Sequence, residues 1–402
     1  MSQTQTSAPP PSAPPPSAPP PSAPPPSAQP PAAPGARDLF VVVDVGGTKV
    51  LAAVTDSHGK ILARRKEKTE RKDKLKLVEQ VSGAIETALK EAGAKSFELR
   101  GLALGVPGVV ETGSGYVVLT PNAPLSKTPL GEMMHSRWNV PVIVGNDVNL
   151  GVVGETWRGA GRGAQSAFGI FVGTGIGGGL VLNGQLIEGF RGLGGEIGHL
   201  MVPLGADEIA GMLEKKHTFL EDLCSRTAIE NQLRHAIVHE GKKSVLTDIL
   251  GDKKLERIRS GALREALKQG DPLVEDVMRR ASYLLGLATA SVLHVVDPEV
   301  IIFGGGVVEA CGKWMLPLIE KTARKVAMPG TGKELRIVQS TLGDDAILLG
   351  GVALLREKLK GLPASTSLQA AAASETNASE TNFSTGAGGE RRSWAQVDKP
   401  LG

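Results

Sequence analysis

Cysteine is almost missing from this chain: Cys224 and Cys311 are its two thiols in 402 residues. Two are too few for a disulfide framework, which fits a reducing compartment. A surplus of one charge sign is missing as well. Lys and Arg number 45 against 42 Asp and Glu, a net charge of +3, so nothing calls for nucleic acid or an anionic membrane surface as partner. No apolar run approaches the roughly 18 residues of a membrane span. The N-terminus has neither the basic region nor the apolar stretch of a signal peptide. These absences lead us to expect a cytoplasmic protein with no membrane and no nucleic-acid partner. What remains is 41% hydrophobic and 22% charged, an ordinary globular composition long enough for two domains. Glycine is the outlier, at 51 residues, and most of its clusters fall where strands would end.

Residues 1–36 repeat the unit Ser-Ala-Pro-Pro-Pro and hold 15 of the 27 prolines. Such a segment has little apolar surface to bury and is expected to be a solvated, polyproline-like tail. Residues 363–402, rich in Ala, Ser, Thr, Asn and Gly, are expected to be a second disordered tail. Between them the body opens with the apolar run Leu39–Val45, then an extended run Val50–Thr55, the turn Asp56–Gly59 and a third run, Lys60–Arg65. That order describes an antiparallel hairpin rather than a crossover. Leu77, Val78, Val81, Ile85, Ala88, Leu89 and Ala92 recur at helical spacing and stop at Gly93. Strands Gly101–Val106 and Val142–Val144 complete a β-β-β-α-β-α-β half. The second half repeats the theme with Ala167–Val172, Gly179–Leu182, the Asn183-Gly184 turn and Gln185–Ile187. A helix capped by Asp271-Pro272 runs to about His294, and a buried strand Val300–Phe303 follows. Two similar halves, each opening on a hairpin around glycines, predict a duplicated α/β fold with a cleft between two lobes.

Asp44-Val45-Gly46-Gly47-Thr48-Lys49 closes the first strand. Its glycines let backbone amides approach phosphate oxygens, Thr48 offers a hydroxyl, Lys49 a charge, and Asp44 can hold Mg²⁺ through water. The spacing is not that of a Walker loop, and an Asp-Gly-Gly turn is also an ordinary hairpin device. Gly173-Thr174-Gly175-Ile176-Gly177-Gly178-Gly179 is a second glycine loop, again followed by strand and not by the helix a dinucleotide fingerprint needs. Two such loops at equivalent points suggest facing phosphate clamps. Gly145-Asn146-Asp147 ends a strand at the mouth of the cleft, where a carboxylate can take a proton from an attacking hydroxyl. Equally, Asn146 and Asp147 suit the cap of a following helix. Glu196 and His199 lie three apart after another glycine turn and can hydrogen-bond vicinal hydroxyls, although such pairs are commonly surface pairs.

In this order the motifs resemble the ROK family of sugar kinases and sugar-responsive repressors, members of the actin-like, hexokinase-like (RNase H-like) ATPase superfamily. The resemblance runs from about Val41 to Leu355 through Asp44–Lys49, Gly105-Val106-Pro107-Gly108, Pro121-Asn122, Asn146-Asp147, Gly173–Gly179, Gly195-Glu196-x-Gly198-His199 and Gly304–Gly306. It implies ATP, Mg²⁺ and a hexose as ligands, Asp147 as catalytic base, and Asn146 beside it on the sugar. Glu196, His199 and Glu221 match the family's sugar contacts, with Gly108 and Asn122 lining the same pocket. Asp44, Gly46, Gly47, Thr48 and Lys49, with Gly173, Thr174, Gly175 and Gly177, match its phosphate segments. Gly304, Gly305 and Gly306 match the adenosine-side loop. The implied lobes are 37–147, completed by a C-terminal helix at about 343–361, and 148–342; a homodimer is expected.

The chain departs from the family at its zinc loop. Aligned on Glu221, the cysteine positions are Met212, Glu214 and Phe219, so no thiolate remains and no zinc is expected. His199 would then serve the sugar alone, with apolar packing by Met212 and Phe219 holding the loop, while Glu214 or His217 could stand in for a ligand. Family repressors carry a helix-turn-helix ahead of the sugar domain and tend to lose the catalytic Asp. Here a proline repeat precedes Asp38 and Asp147 is present, which favours a kinase. The basic run Arg64–Lys76 raises polyphosphate as an alternative donor, yet Glu67, Glu70 and Asp73 interrupt it.

Overall fold

A computed structural model describes residues 37–95, 98–202, 218–251, 255–331 and 333–360. Both tails, and with them the expectations for 1–36 and 363–402, lie outside the described residues, as do Met212, Glu214 and His217.

The first half builds a five-stranded sheet in the order β3-β2-β1-β4-β7 from β1 (Leu39–Val45), β2 (Lys49–Asp56), β3 (Ile61–Lys68), β4 (Leu99–Val106) and β7 (Val142–Asn146). The second builds β10-β9-β8-β11-β12 from β8 (Ala167–Val172), β9 (Ile176–Leu182), β10 (Gln185–Leu186), β11 (Val300–Gly304) and β12 (Arg336–Gln339). The orders correspond strand for strand: three antiparallel strands followed by two parallel ones. A two-stranded ribbon, β5 (Val109–Val110) with β6 (Val117–Leu119), interrupts the first half. This is the duplicated, two-lobed α/β fold expected.

The central strands are apolar along most of their length because they are covered on both faces. On one side of the first sheet, Val41, Val43 and Val45 meet α1 (Lys74–Glu91) through Leu77, Val81 and Ile85. On the other side, Phe40 and Val42 join a third core that the lobes share. That core holds Val152, Val153 and Trp157 of α3 (Asp147–Arg158) together with Leu348, Val352 and Leu355 of the last helix, Asp345–Lys360. The two helices cross at glycines. A Cβ on Gly350 would stand 1.8 Å from the Leu150 carbonyl oxygen, and one on Gly154 would stand 2.0 Å from that of Ala346. α3 leans on β8 and β9 while the last helix leans on β1 and β4, so the pair forms the hinge layer between the sheets.

In the second lobe the long helix Pro272–Val296 begins where the sequence places it. The Asp271 carboxylate accepts the Leu273 and Val274 N–H groups at 2.9 and 3.0 Å, with Pro272 at the first helical position. A cap of this kind is worth about 1 kcal/mol. One reading needs correction. Gly173–Gly179 is not a single loop: the turn is Gly173-Thr174-Gly175, and Gly177, Gly178 and Gly179 belong to β9. They are glycines because other parts come close. A Cβ would meet Val148 at 2.6 Å from Gly177, and the Gly195 carbonyl oxygen at 2.3 Å from Gly178.

Candidate active site

Sheet order decides what converges. The C-terminal ends of β1, β4 and β7 lie side by side, which brings Asp44, Val106 and Asn146 to one edge of the first lobe. Asp44 ends its strand almost fully buried, 5% exposed. The Lys49 ammonium stands 3.5 Å from its carboxylate. Burial pushes the Asp44 carboxyl up to about 6; Lys49 opposes the rise, and the nearby Asp147 and Asp344 charges add to it. Between them the Gly46-Gly47 turn is pinned from outside. Gly46 N–H donates to the Lys49 carbonyl at 2.9 Å, the Thr69 hydroxyl to the Gly46 carbonyl at 2.7 Å, and Arg71 to the Gly47 carbonyl at 2.8 Å. Thr48 is exposed at the tip. Neither glycine has positive φ. Gly47 is demanded by closeness, since a Cβ there would lie 2.8 Å from Cβ of Asn122. Asn122, read from sequence as a sugar contact, therefore sits directly on the Gly46-Gly47 turn.

Asn146 is the N-cap of α3: its side-chain oxygen accepts the Asn149 N–H at 3.0 Å, and its Nδ2 donates to the Gly108 carbonyl at 2.9 Å. Asp147 follows at the first helical position. Its Oδ1 accepts the Val148 N–H at 2.9 Å. Desolvation raises the Asp147 carboxyl above its ordinary range, backbone N–H groups oppose the rise, and the Glu196 charge adds to it. Gly108 has φ +97°, and a Cβ there would stand 2.2 Å from the Leu119 carbonyl oxygen. It thus turns the chain after β4 so that its carbonyl meets Asn146.

From the second lobe, Glu196 precedes a single 3₁₀ turn, Ile197–His199, and is half-buried. Desolvation raises its carboxyl; His199, whose Nδ1 is 3.7 Å from Glu196, opposes that, and the Glu221 charge adds to it. The exposed His199 ring packs against the Phe219 ring at 5.2 Å between centroids. Phe219, at a position where the family has a cysteine, thus touches the histidine by packing. Glu221, in the short helix Leu220–Cys224, turns toward the Gly173–Gly175 turn. Its Oε2 accepts the Ile176 N–H at 2.6 Å and would be 2.2 Å from a Cβ on Gly175. The same turn is held by Arg226, which reaches the Thr174 hydroxyl at 2.6 Å, and by the Thr227 hydroxyl on the Thr174 carbonyl at 2.8 Å. Gly305, with φ +81°, lies against the Val172 backbone, and Gly306 opens the 21-residue helix Gly306–Val326. Gly304–Gly306 therefore adjoins the second turn.

The structure thus strings Lys49, Asp44, Asp147, Glu196 and Glu221 into one line of interacting charges from lobe to lobe. Sequence reasoning missed Asp344, whose carboxylate is 2.6 Å from the Lys49 ammonium across 295 residues of chain. It also missed Glu155, fully buried on α3, which accepts the Thr341 and Leu342 N–H groups at 2.9 and 2.8 Å. Neither carries a motif; only the contact shows them. A cavity of about 550 Å³ between the β7 edge and β10, lined by Val142–Gly145, Gln185, Glu188 and Lys358, holds none of these reactive groups.

Two lobes with a glycine turn in each and a carboxylate at the hinge helix have the architecture of an actin-like phosphotransferase. The ROK family model matches residues 40–358, and the chain belongs to the ROK family. It is 33% identical over 323 residues to the glucokinase of Halalkalibacterium halodurans, covering 79% of this chain and 95% of that protein. Among solved structures it is similar to a ROK family glucokinase from Streptomyces griseus in complex with glucose and AMPPNP. That likeness has 29% identity and a TM-score of 0.65, covering 79% of this chain and 99% of the other. A ROK family transcriptional regulator, a homologue of the E. coli MLC protein, is similar at 25% identity and a TM-score of 0.70, over 84% and 81%. Taken with the kinase relatives, the site makes this chain a sugar kinase.

Proposed function

We propose that this kinase transfers the γ-phosphoryl group of Mg-ATP to a hexose hydroxyl, the 6-hydroxyl of glucose first among candidates. The observation that carries the reading is the placement of Asp147. It heads the hinge helix, in electrostatic reach of Asp44 on the phosphate side and of Glu196 on the other. The glucose and AMPPNP held by the Streptomyces relative support both ligands.

The sugar oxygen attacks phosphorus, its proton passes to the Asp147 carboxylate, and ADP departs. A base whose pKa is raised accepts that proton more readily than an ordinary aspartate, and help of this kind is worth about 10²–10⁴-fold. Glu196, His199 and Glu221 orient the hydroxyls, with Gly108, Asn122 and Asn146 shaping the pocket. The second Nδ2 proton of Asn146 is the part of that amide left for sugar. Backbone amides of Gly46, Gly47, Gly173 and Gly175, with Thr48, Lys49 and Thr174, hold the phosphates. Gly304–Gly306 borders the adenosine, and Gly177 keeps α3 close to β9. Asp44 suits Mg²⁺, since it is a buried hard-oxygen ligand whose one cationic neighbour is 3.5 Å away. Bound there, the ion would neutralise charge on the phosphates.

The lobes (37–147 with the helix at about 343–361, and 148–342), a cytoplasmic setting in hexose breakdown and a homodimer complete this proposal, with no zinc. A second donor is favoured by one feature. Lys68, Lys66 and Arg64 pair across from Lys49, Leu51 and Ala53, which puts three cations on the face of the first sheet that carries Lys49. Such a ladder suits a longer phosphate chain. The experiment is ADP release with Mg-ATP over a hexose panel, with inorganic polyphosphate as the competing donor and Asp147→Ala in parallel. Turnover should fall by about 10²–10⁴-fold in the variant while sugar binding persists. Unchanged turnover in Asp147→Ala would overturn the assignment; phosphorylation from polyphosphate alone would replace ATP as donor.

A further inference from the structure

We propose that Asp344 belongs to the donor site as a positioning residue that competes with the donor phosphates for Lys49. The inference rests on the reading of Gly46–Lys49 as a phosphate turn. Lys49 is the first residue of β2, and its ammonium is shared between two carboxylates, Asp344 at 2.6 Å and Asp44 at 3.5 Å. A cation needed by a polyanion is therefore already neutralised in the free chain.

Asp344 is not a stray surface acid. The segment that presents it is fixed at both ends. Upstream, buried Glu155 of α3 accepts the Thr341 and Leu342 N–H groups. Downstream, the tight turn Leu342–Ala346 closes through Asp345 N–H to the Leu342 carbonyl at 3.0 Å and Ala346 N–H to the Gly343 carbonyl at 3.1 Å. Asp345 is then tied to Arg64 at 2.8 Å, and Lys66 lies 3.5 Å from Asp344. Gly343, with φ +53°, makes the bend. The helix that carries the base therefore reaches through Glu155 and this turn to set where Asp344 stands, and through it where Lys49 stands.

Donor phosphates can use Lys49 fully only by taking it from Asp344. Because Asp344 is 55% exposed, water soon replaces what it loses, and the contest is mild. Removing its charge frees Lys49 without disturbing a buried group. Asp344→Asn should bind Mg-AMPPNP about two- to fivefold more tightly by calorimetry at low ionic strength. The gain should shrink as salt is raised, because an exposed pair is screened. In a Lys49→Met background the same substitution should change Kd by less than about half as much, since only the longer and more exposed pair with Lys66 is left to release. Asp344→Glu, which keeps the charge, should restore the wild-type Kd. Weaker or unchanged binding in Asp344→Asn overturns the inference. So does an equal gain in the Lys49→Met background, which would mean a general charge effect. Wild-type protein that fails to bind Mg-AMPPNP at all would remove the ATP reading itself, and this inference with it.

Discussion

Asp44 offers the sharpest test of how the site strains the fold. Its carboxyl is 5% exposed and is pushed from 3.8 up to about 6, chiefly by burial. That displacement corresponds to about 3 kcal/mol against the ionised form in the folded state. The sign follows from proton uptake. Between about pH 4 and pH 6 the folded chain holds a proton that the unfolded chain has released, so stability falls as pH rises through that window. Below it both states are protonated and the penalty vanishes; above it the penalty is constant. Asp44→Asn removes the charge and keeps the shape, so the variant should be more stable than wild type. The gap should be about 3 kcal/mol at pH 7.5 and roughly half that at pH 5, reduced at both by the amide's own need for partners. Urea denaturation of both chains at the two pH values reads the gap directly. Turnover should be lost in the same variant, the expected trade of stability for function at a reactive centre. A variant less stable than wild type at pH 7.5, or a gap that does not shrink at pH 5, would refute the burial argument.

Two further outcomes follow from glycines with opposite surroundings. Gly350→Ala places a Cβ 1.8 Å from the Leu150 carbonyl oxygen at the hinge crossing, where backbone cannot give way. It should cost about 1–3 kcal/mol or more and depress activity, whereas Gly83→Ala, in the interior of α1 with open space around it, should raise stability by up to about 1 kcal/mol; thermal unfolding of the pair decides. Gly108→Ala combines φ +97° with a Cβ 2.2 Å from the Leu119 carbonyl, and it displaces the acceptor of Asn146. We expect KM for the sugar to rise about tenfold or more with a smaller change in KM for Mg-ATP, and equal changes in both would count against Gly108 as a sugar-side residue.

The framework of the fold is legible because burial leaves a pattern. Leu39–Val43 is apolar without alternation since α1 covers one face and the hinge helices the other, and Lys74–Glu91 shows its stripe because only one face is covered. Asp271-Pro272 fixes a helix start by local hydrogen bonding alone. Short elements leave no such trace. β5 and β6 have two and three residues, and the helices Leu220–Cys224 and Leu246–Leu250 have five each, too few for a period to show. Pro317 lies inside Gly306–Val326, where a proline in sequence argues for a break.

For the site, the distinction is between residues that announce themselves locally and residues defined by what they meet. Asn146 and Asp147 both suit a cap and chemistry in sequence, and the structure separates them: Asn146 bonds the Asn149 N–H, while Asp147 keeps an oxygen beyond its bond to Val148. Gly173 to Gly179 looks uniform in sequence because glycine serves two needs that no single chain separates. At Gly175 the neighbour is the Glu221 carboxylate, and at Gly177 it is Val148 of the hinge helix. Glu155 and Asp344 had no motif to find, since the first acts on backbone N–H groups 186 and 187 residues away and the second on an ammonium 295 residues away. Those contacts run from the helix that carries Asp147 to the turn that carries Lys49. The link is a buried carboxylate on backbone N–H groups at Glu155 and a single exposed ion pair at Asp344, so it orients the Lys49 turn without locking it to α3.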